Sequence, residues 1–153
     1  MPRIILLDST PLALICRHRG HPRGDVCRRW LDSIEMAGVV VVVPEIADYE
    51  VRREWTRSGS RGGLARLDYL ATRLIYHPIT TPVMHRAAEF WADVRRHGLP
   101  TAADSGLDAD AILAAQADLI GNPGDVVTVA TSNARHLARF PGIDAREWSS
   151  IAP

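Results

Sequence analysis

The stretch "VVVVVPEIADYE", residues 39–50, decides the fold. Five consecutive valines predict a strand that is buried on both faces, as the strands of parallel sheets are. Pro44 follows at once, and because proline favours the first turn of a helix, we expect a helix over residues 44–57. A buried strand that runs directly into a helix is the repeating unit of an α/β protein with a parallel sheet.

The same alternation of apolar strands and helices continues on both sides of this stretch, punctuated by glycine and proline. We expect further strands at residues 3–7, 74–79, 126–130 and 143–146, and further helices at residues 10–16, 25–37, 64–73, 81–97 and 108–120. The predicted fold class is therefore α/β, a three-layer α/β/α sandwich around a mostly parallel sheet of four to five strands. A chain of 153 residues fits a single domain, residues 1–153.

Several classes of protein are disfavoured by the composition. The longest strongly apolar run, residues 37–43, is far too short to cross a membrane. The N-terminus carries Asp8 and lacks a small-residue cleavage site, so it does not resemble a signal peptide. Cys16 and Cys27 have no metal-ligand spacing, and we expect free thiols. We therefore expect a cytoplasmic protein that has no contact with a membrane.

The net charge is zero, but the basic residues are unusual because they are all of one type. There are 18 basic and 18 acidic residues, and every basic residue is arginine. Arginine presents a planar fork that can bind phosphate through two hydrogen bonds. Residues 17–29, "RHRGHPRGDVCRR", contain five arginines and one acid. This segment is either a solvated loop or a patch that contacts phosphate, and the sequence leaves both readings open.

Two acids stand out because they follow predicted strands, where sites form in open parallel sheets. Asp8 ends the first strand and could cap the next helix, but since Ser9 and Thr10 can cap it themselves, we favour a functional role for Asp8. Glu50 lies one helical turn after Ile46, which we expect to face the core. By helix geometry alone Glu50 fits the surface equally well.

A second pair of acids opens the alanine-rich segment "GLDADAILAAQA", residues 106–117. Asp108 and Asp110 project roughly 200° apart on a helix, so they cannot face one point. Asp108 suits the N-cap, although it could also support a site or add a ligand. Asp110 shares a face with Ala114 and Ala117, whose small side chains allow close approach to the sheet. Asp110 is therefore the functional candidate.

Three polar residues, Thr131, Ser132 and Asn133, follow the fourth predicted strand and join the candidates. The turn after the first strand, "DSTPLAL" (residues 8–14), contains no glycine. A glycine-rich loop is what cradles phosphate in dinucleotide-binding and P-loop proteins. Nucleotide binding of those kinds is therefore disfavoured.

Four segments in this order resemble PIN-domain proteins, and are similar to the toxin nucleases of VapBC-type toxin–antitoxin systems. They are "LLDSTPL" (residues 6–12), "VPEIADYEVRRE" (43–54), "LDADAILAAQA" (107–117) and "VATSNARHLARF" (129–140), and the similarity covers nearly the whole chain. The resemblance implies an endoribonuclease that depends on Mg²⁺ or Mn²⁺. Such ions prefer carboxylate oxygens and keep several waters.

The resemblance also implies roles for individual residues. Asp8, Glu50 and Asp110 would be catalytic and hold the metal, with Asp108 as an additional ligand. Many relatives carry an aspartate where this chain has Asn133, which would ligate weakly or through water, and this departure puts a second metal in doubt. The implied substrate contacts are Thr131 or Ser132, which would orient a phosphate or a carboxylate, and Arg52 and Arg53, which either contact RNA or solvate a helix face.

The implied partners are RNA, a small antitoxin protein and a second copy of the chain in a homodimer. One alternative stays open: a PIN-like module that binds nucleic acid or protein without cutting, its metal site weakened by Asn133. Asp8, Glu50 and Asp110 favour the nuclease, because a site that had lost its function would be expected to lose more than one acid.

Overall fold

The computed structural model describes residues 1–98 and 104–153, and within them the chain forms one parallel sheet. The sheet has five strands in the order β3-β2-β1-β4-β5, and every adjacent pair is parallel. The strands are β1 (Arg3–Leu7), β2 (Val40–Pro44), β3 (Ile75–His77), β4 (Val126–Thr131) and β5 (Asp144–Glu147). The α/β prediction is confirmed, and the sheet is parallel throughout.

Helices cover both faces of the sheet. They are α1 (Ser9–Ile15), α2 (Pro22–Met36), α3 (Glu45–Ser58), α4 (Arg61–Arg73), α5 (Thr81–Arg96), α6 (Asp104–Ile120) and α7 (Ala134–Leu137), and a short 3-10 helix, Trp148–Ser150, follows β5. Alternate residues of β1 point to opposite faces. Ile5 and Leu7 pack in the core with α1, α2 and α4, whereas Ile4 and Leu6 pack in the core with α5 and α6. These two cores make the predicted three-layer sandwich.

Several predicted helix starts differ from the structure, and two of them belong to α3 and α6, which carry candidate acids. Pro44 is the last residue of β2 and the N-cap of α3, with an extended backbone (φ −77°, ψ 138°), so the helix begins at Glu45. Helix α6 begins at Asp104, which makes Asp108 an interior residue and not the N-cap. Leu107, which is 1% exposed, already belongs to the buried face that continues through Ala111 and Ala114. The apolar stripe thus extends one turn further toward the N-terminus than we predicted.

Other features agree with the sequence. Both cysteines are free and buried, and burial raises the pKa of each thiol to about 12. In the described part of the chain, none of the helices is long and apolar enough to span a bilayer.

A buried amide, Gln116, sets the position of α6 relative to its neighbours. Its side chain has no solvent exposure. The Oε1 atom accepts a hydrogen bond from the Ile46 amide in the first turn of α3 (3.3 Å), and Nε2 donates to the His77 carbonyl at the end of β3 (2.7 Å). Because α3 carries Glu50 and α6 carries Asp110, this side chain holds the two acid-bearing helices in register.

We expect Gln116→Leu to lower the free energy of unfolding by about 2–4 kcal/mol, because it leaves the buried Ile46 amide and His77 carbonyl without these partners. Leu119→Ala, an exposed position on the same helix, should change it by less than about 0.5 kcal/mol. Urea denaturation of both variants measures the difference. A Gln116→Leu protein as stable as the wild type would contradict this role.

Candidate active site

Asp8 lies at the carboxyl end of the central strand and is held from three directions. Its amide donates to the Ala130 carbonyl at 2.9 Å. One carboxylate oxygen accepts from the Ser9 amide (2.7 Å), which makes Asp8 the N-cap of α1, and the other accepts from the Thr131 hydroxyl (2.7 Å). Asp8, and not Ser9 or Thr10, is therefore the residue that caps this helix. Asp8 caps the helix and still belongs to the cluster of acids described below.

Thr131 connects Asp8 to the segment that follows β4. The residue is fully buried. Its hydroxyl group donates a hydrogen bond to the Asp8 carboxylate, and the same hydroxyl oxygen accepts one from the Asn133 amide at 2.9 Å. Of the two roles open to Thr131, the structure shows the contact with a carboxylate. Ser132 is exposed beside it.

Glu50 is three-quarters buried on α3. Burial and, next, the negative charge of Asp8 raise the pKa of the Glu50 carboxyl to about 7, and Asp110 acts in the same direction. Arg53, whose Nη2 atom lies 3.9 Å from the Glu50 carboxylate, opposes the shift. Glu50 therefore lies within the electrostatic influence of Asp8 and Asp110.

Asp110 on α6 shows the same pattern. Burial and then the charge of Asp8 raise its pKa to about 6, while Arg139 and His136 oppose the shift. The Asp110 carboxylate lies 3.3 Å from Arg139 Nη2 and 3.9 Å from His136 Nδ1. Asp8 thus acts on both Glu50 and Asp110, so the structure brings these three predicted carboxylates into one electrostatic environment.

The chemistry of these donors fits a hard divalent cation. Partly buried carboxylates repel one another, and a cation between them would remove that repulsion. Within residues 1–98 and 104–153, however, no three side chains of His, Cys, Asp or Glu are close enough together to hold one ion. Glu50 and Asp110 would therefore have to move toward Asp8, or the ion would be held in part through water.

Arg139 is the residue at this site that the sequence analysis missed. Its side chain is only 8% exposed, Nε donates to the His136 carbonyl (2.6 Å), and Nη2 reaches Asp110. Its Nη1 atom is buried and has no hydrogen-bond partner among the described residues. The signal in the sequence was an arginine soon after a strand that ends at the site, within a segment in which we considered only Thr131, Ser132 and Asn133.

Asn133, Asp108 and Arg52 have other neighbours in the structure. Asn133 is exposed, and its side-chain nitrogen lies 2.9 Å from His136 Nδ1. Asp108 is exposed and lines a groove with α5. Arg52 is bound by Asp48 (3.0 Å) and Asp68 (2.8 Å), which ties α3 to α4. Of the two predicted arginines, only Arg53 contacts one of the three acids.

The raised pKa of Glu50 predicts how stability depends on pH. Between the ordinary value of 4.5 and about 7, the folded protein binds a proton that the unfolded chain does not, so stability falls as pH rises. We expect Glu50→Gln, in EDTA, to raise the free energy of unfolding by about 1–3 kcal/mol near pH 8 and by much less near pH 5. Glu54→Gln, exposed on the same helix, is the control. Urea denaturation at both pH values measures the effect, and an equal gain at both would contradict it.

Comparison with solved structures identifies the fold. The chain is similar to VapBC2 from Rickettsia felis, bound to a promoter DNA fragment, with 16% identity over 94% of this chain and 97% of that chain and a TM-score of 0.69. It is similar to DNA-bound VapBC from Salmonella typhimurium, with 21% identity over 97% and 99% and a TM-score of 0.66. It is also similar to VapC20 from Mycobacterium tuberculosis, described as a Sarcin-Ricin loop cleaving toxin, with 16% identity over 97% and 99% and a TM-score of 0.61.

At these identities the similarity establishes the fold. No curated protein matches the sequence. A sequence model of a family, the PIN domain, matches residues 5–141, which is most of the chain and includes Asp8, Glu50, Asp110 and Arg139. The chain therefore belongs to the PIN-domain family.

Proposed function

We propose that this protein is a metal-dependent endoribonuclease that hydrolyses RNA phosphodiester bonds. One observation carries the proposal: Asp8, Glu50 and Asp110 come from a strand end and two helices, yet burial and then the charge of Asp8 raise the pKa of both other acids. Partly buried, mutually repelling carboxylates are costly for folding, and they cluster where a cation or a reaction uses them. The membership of the PIN-domain family supports the same reading.

In this proposal Asp8, Glu50 and Asp110 hold Mg²⁺ or Mn²⁺. A bound divalent ion supplies a water of lowered pKa and neutralises charge on the phosphate. Asn133 would contribute through water, because an exposed amide adds no charge to the site. Asp108 is left out of the ligand set, because it lies against α5.

The other residues orient these acids. The Thr131 hydroxyl fixes one oxygen of Asp8, and the Ser9 amide fixes the other. Arg139 holds Asp110 from the interior, and Arg53 lies beside Glu50 at the more open side. Arg53, 51% exposed, could contact an RNA phosphate, whereas Arg52 is already occupied by two acids.

We further propose that the chain is the toxin of a type II toxin–antitoxin pair. The structural relatives include VapBC assemblies and a toxin that cleaves the Sarcin-Ricin loop. The partner would be a small antitoxin protein, and the protein would act in the cytoplasm, where its buried free thiols would persist. A homodimer is also proposed, supported by Met84 and Trp91, which are exposed on α5.

The purified protein should cut a pool of structured RNAs with Mg²⁺ or Mn²⁺ and not with EDTA. Asp110→Asn, purified identically, should cut at least about 100-fold more slowly, because it removes one of three charges that hold the ion. Gel electrophoresis of end-labelled RNA measures both. Equal cutting by the two proteins would indicate a contaminating ribonuclease. Intact RNA in all samples would favour the alternative, a module that binds without cutting.

Thr131 offers a test of how Asp8 is positioned. Thr131→Val keeps the shape of the side chain but removes the hydroxyl that donates to Asp8, and we expect kcat/KM for RNA to fall about 10–100-fold. Thr131→Ser keeps the hydroxyl and should stay within a few-fold of the wild type. Both variants should be folded by circular dichroism. Similar activities for Val and Ser would show that this hydrogen bond does not matter for cleavage.

A further inference from the structure

A groove of about 460 Å³ opens beside Glu50 and runs between α1 and α3. Thr10 and Ala13 line it from α1, and Val51 lines it from α3. Arg17 and Arg23, which come after the C-terminal end of α1, also line it. The groove therefore connects the candidate active site to the arginine-rich segment, residues 17–29.

The five arginines of that segment do not have the same role. Arg28 stabilises the C-terminal end of α1 and the turn after it. Its guanidinium donates to the carbonyls of Ile15 (3.1 Å), Arg17 (2.7 Å) and His18 (3.2 Å), and it pairs with Asp25. The last carbonyls of a helix need such donors. Arg28 therefore has a structural explanation, which does not extend to the arginines that line the groove.

Arg17 and Arg23 are exposed, and neither side chain makes a hydrogen bond or an ion pair with any residue in the described ranges, 1–98 and 104–153. They are also held near each other. A Cβ atom on Gly24 would lie 2.9 Å from the Cβ atom of Arg17 and from the Leu14 carbonyl oxygen, so α2 packs tightly against this loop. The fold thus presents two uncompensated guanidinium groups on one wall.

Each of the two acids that line the groove, Glu50 and Glu54, has an arginine beside it. Glu50 lies 3.9 Å from Arg53, and Glu54 lies 2.9 Å from Arg57. The excess charge of the groove therefore comes from Arg17 and Arg23, and it is positive. An anion is the complementary occupant, and guanidinium forks match the oxygens of a phosphate.

We propose that this groove binds the backbone of single-stranded RNA next to the cleavage site, with Arg17 and Arg23 contacting its phosphates. The inference rests on the proposed ribonuclease function. Helix α1 has seven residues and is about 10 Å long. Because Arg17 and Arg23 lie beyond the end of this helix, they contact the strand a few nucleotides from the bond that is cut. A volume of about 460 Å³ is that of a small-molecule site, which suits one strand and not a duplex.

The test measures RNA binding without cleavage. Three proteins all carry Asp110→Asn: the parent, the groove variant Arg17→Gln/Arg23→Gln, and the control Arg29→Gln/Arg96→Gln. The control removes two exposed arginines that do not line the groove. Fluorescence anisotropy with a labelled single-stranded oligoribonucleotide, titrated over a range of salt concentrations, gives the affinity and its salt dependence. Circular dichroism confirms that all three are folded.

For the groove variant we expect roughly tenfold weaker binding near 0.1 M salt and a decrease of about 1.4 in the slope of log affinity against log salt, since each lost phosphate contact removes about 0.7. The control should keep the slope of the parent. In the cleaving background, the groove variant should raise KM and leave kcat unchanged.

Two results would overturn the inference, and they differ in what they say of the proposed function. If the groove variant and the control lost RNA affinity equally, the arginines would attract RNA only in a general way, and the groove would not be the RNA site. Cleavage by the wild type would then still support the proposed nuclease. Absence of RNA binding and of cleavage in every protein would overturn both.

Discussion

The hydrogen bond from Thr131 to Asp8 joins the carboxyl ends of β1 and β4, and the site is built around it. These strands are adjacent and parallel, with Leu7 opposite Ala130, so their ends meet at one edge of the sheet. Asp8 is there fixed through both carboxylate oxygens while it caps α1. Because Asp8 cannot turn away, its charge bears on whatever acid the neighbouring helices bring to this edge, and α3 and α6 bring Glu50 and Asp110.

This arrangement of acids lowers the stability of the folded chain but suits the proposed binding of a divalent ion. Burial and the charge of Asp8 raise the pKa values of Glu50 and Asp110, which means that folding is opposed whenever these groups are ionised. Arg53 and Arg139 partly offset this cost from opposite sides, one exposed and one buried. Arg139, which is buried, orients Asp110. Arg53, which is exposed, is free to exchange Glu50 for a phosphate. The same charges that destabilise the isolated chain are the ones that would attract a divalent ion.

The arginines of this chain divide into those that hold the fold and those that remain unpaired. Arg28 closes α1, Arg52 ties α3 to α4, and Arg139 holds Asp110. Arg17 and Arg23 make no such contacts in the part of the chain that the structure describes, and they line the groove that leads to Glu50. A uniform reading of the arginine-rich segment, as either a solvated loop or a phosphate patch, therefore fails, since neighbouring arginines have different roles.

The sequence alone determined the alternation of strands and helices, because five valines before Pro44 and similar apolar runs elsewhere are local signals. It also pointed to Asp8, Glu50 and Asp110, since acids that follow buried strands or share a helix face with small residues are visible in the chain. The tertiary structure decided what depends on neighbours distant in sequence: the start of α6, which removed Asp108 from the cap, and the strand order that sets β4 beside β1. Gln116 has no local signal, and the place of Arg139 soon after β4 does not show its partner, because their roles arise only when α6 meets α3 and when the turn after β4 folds against Asp110.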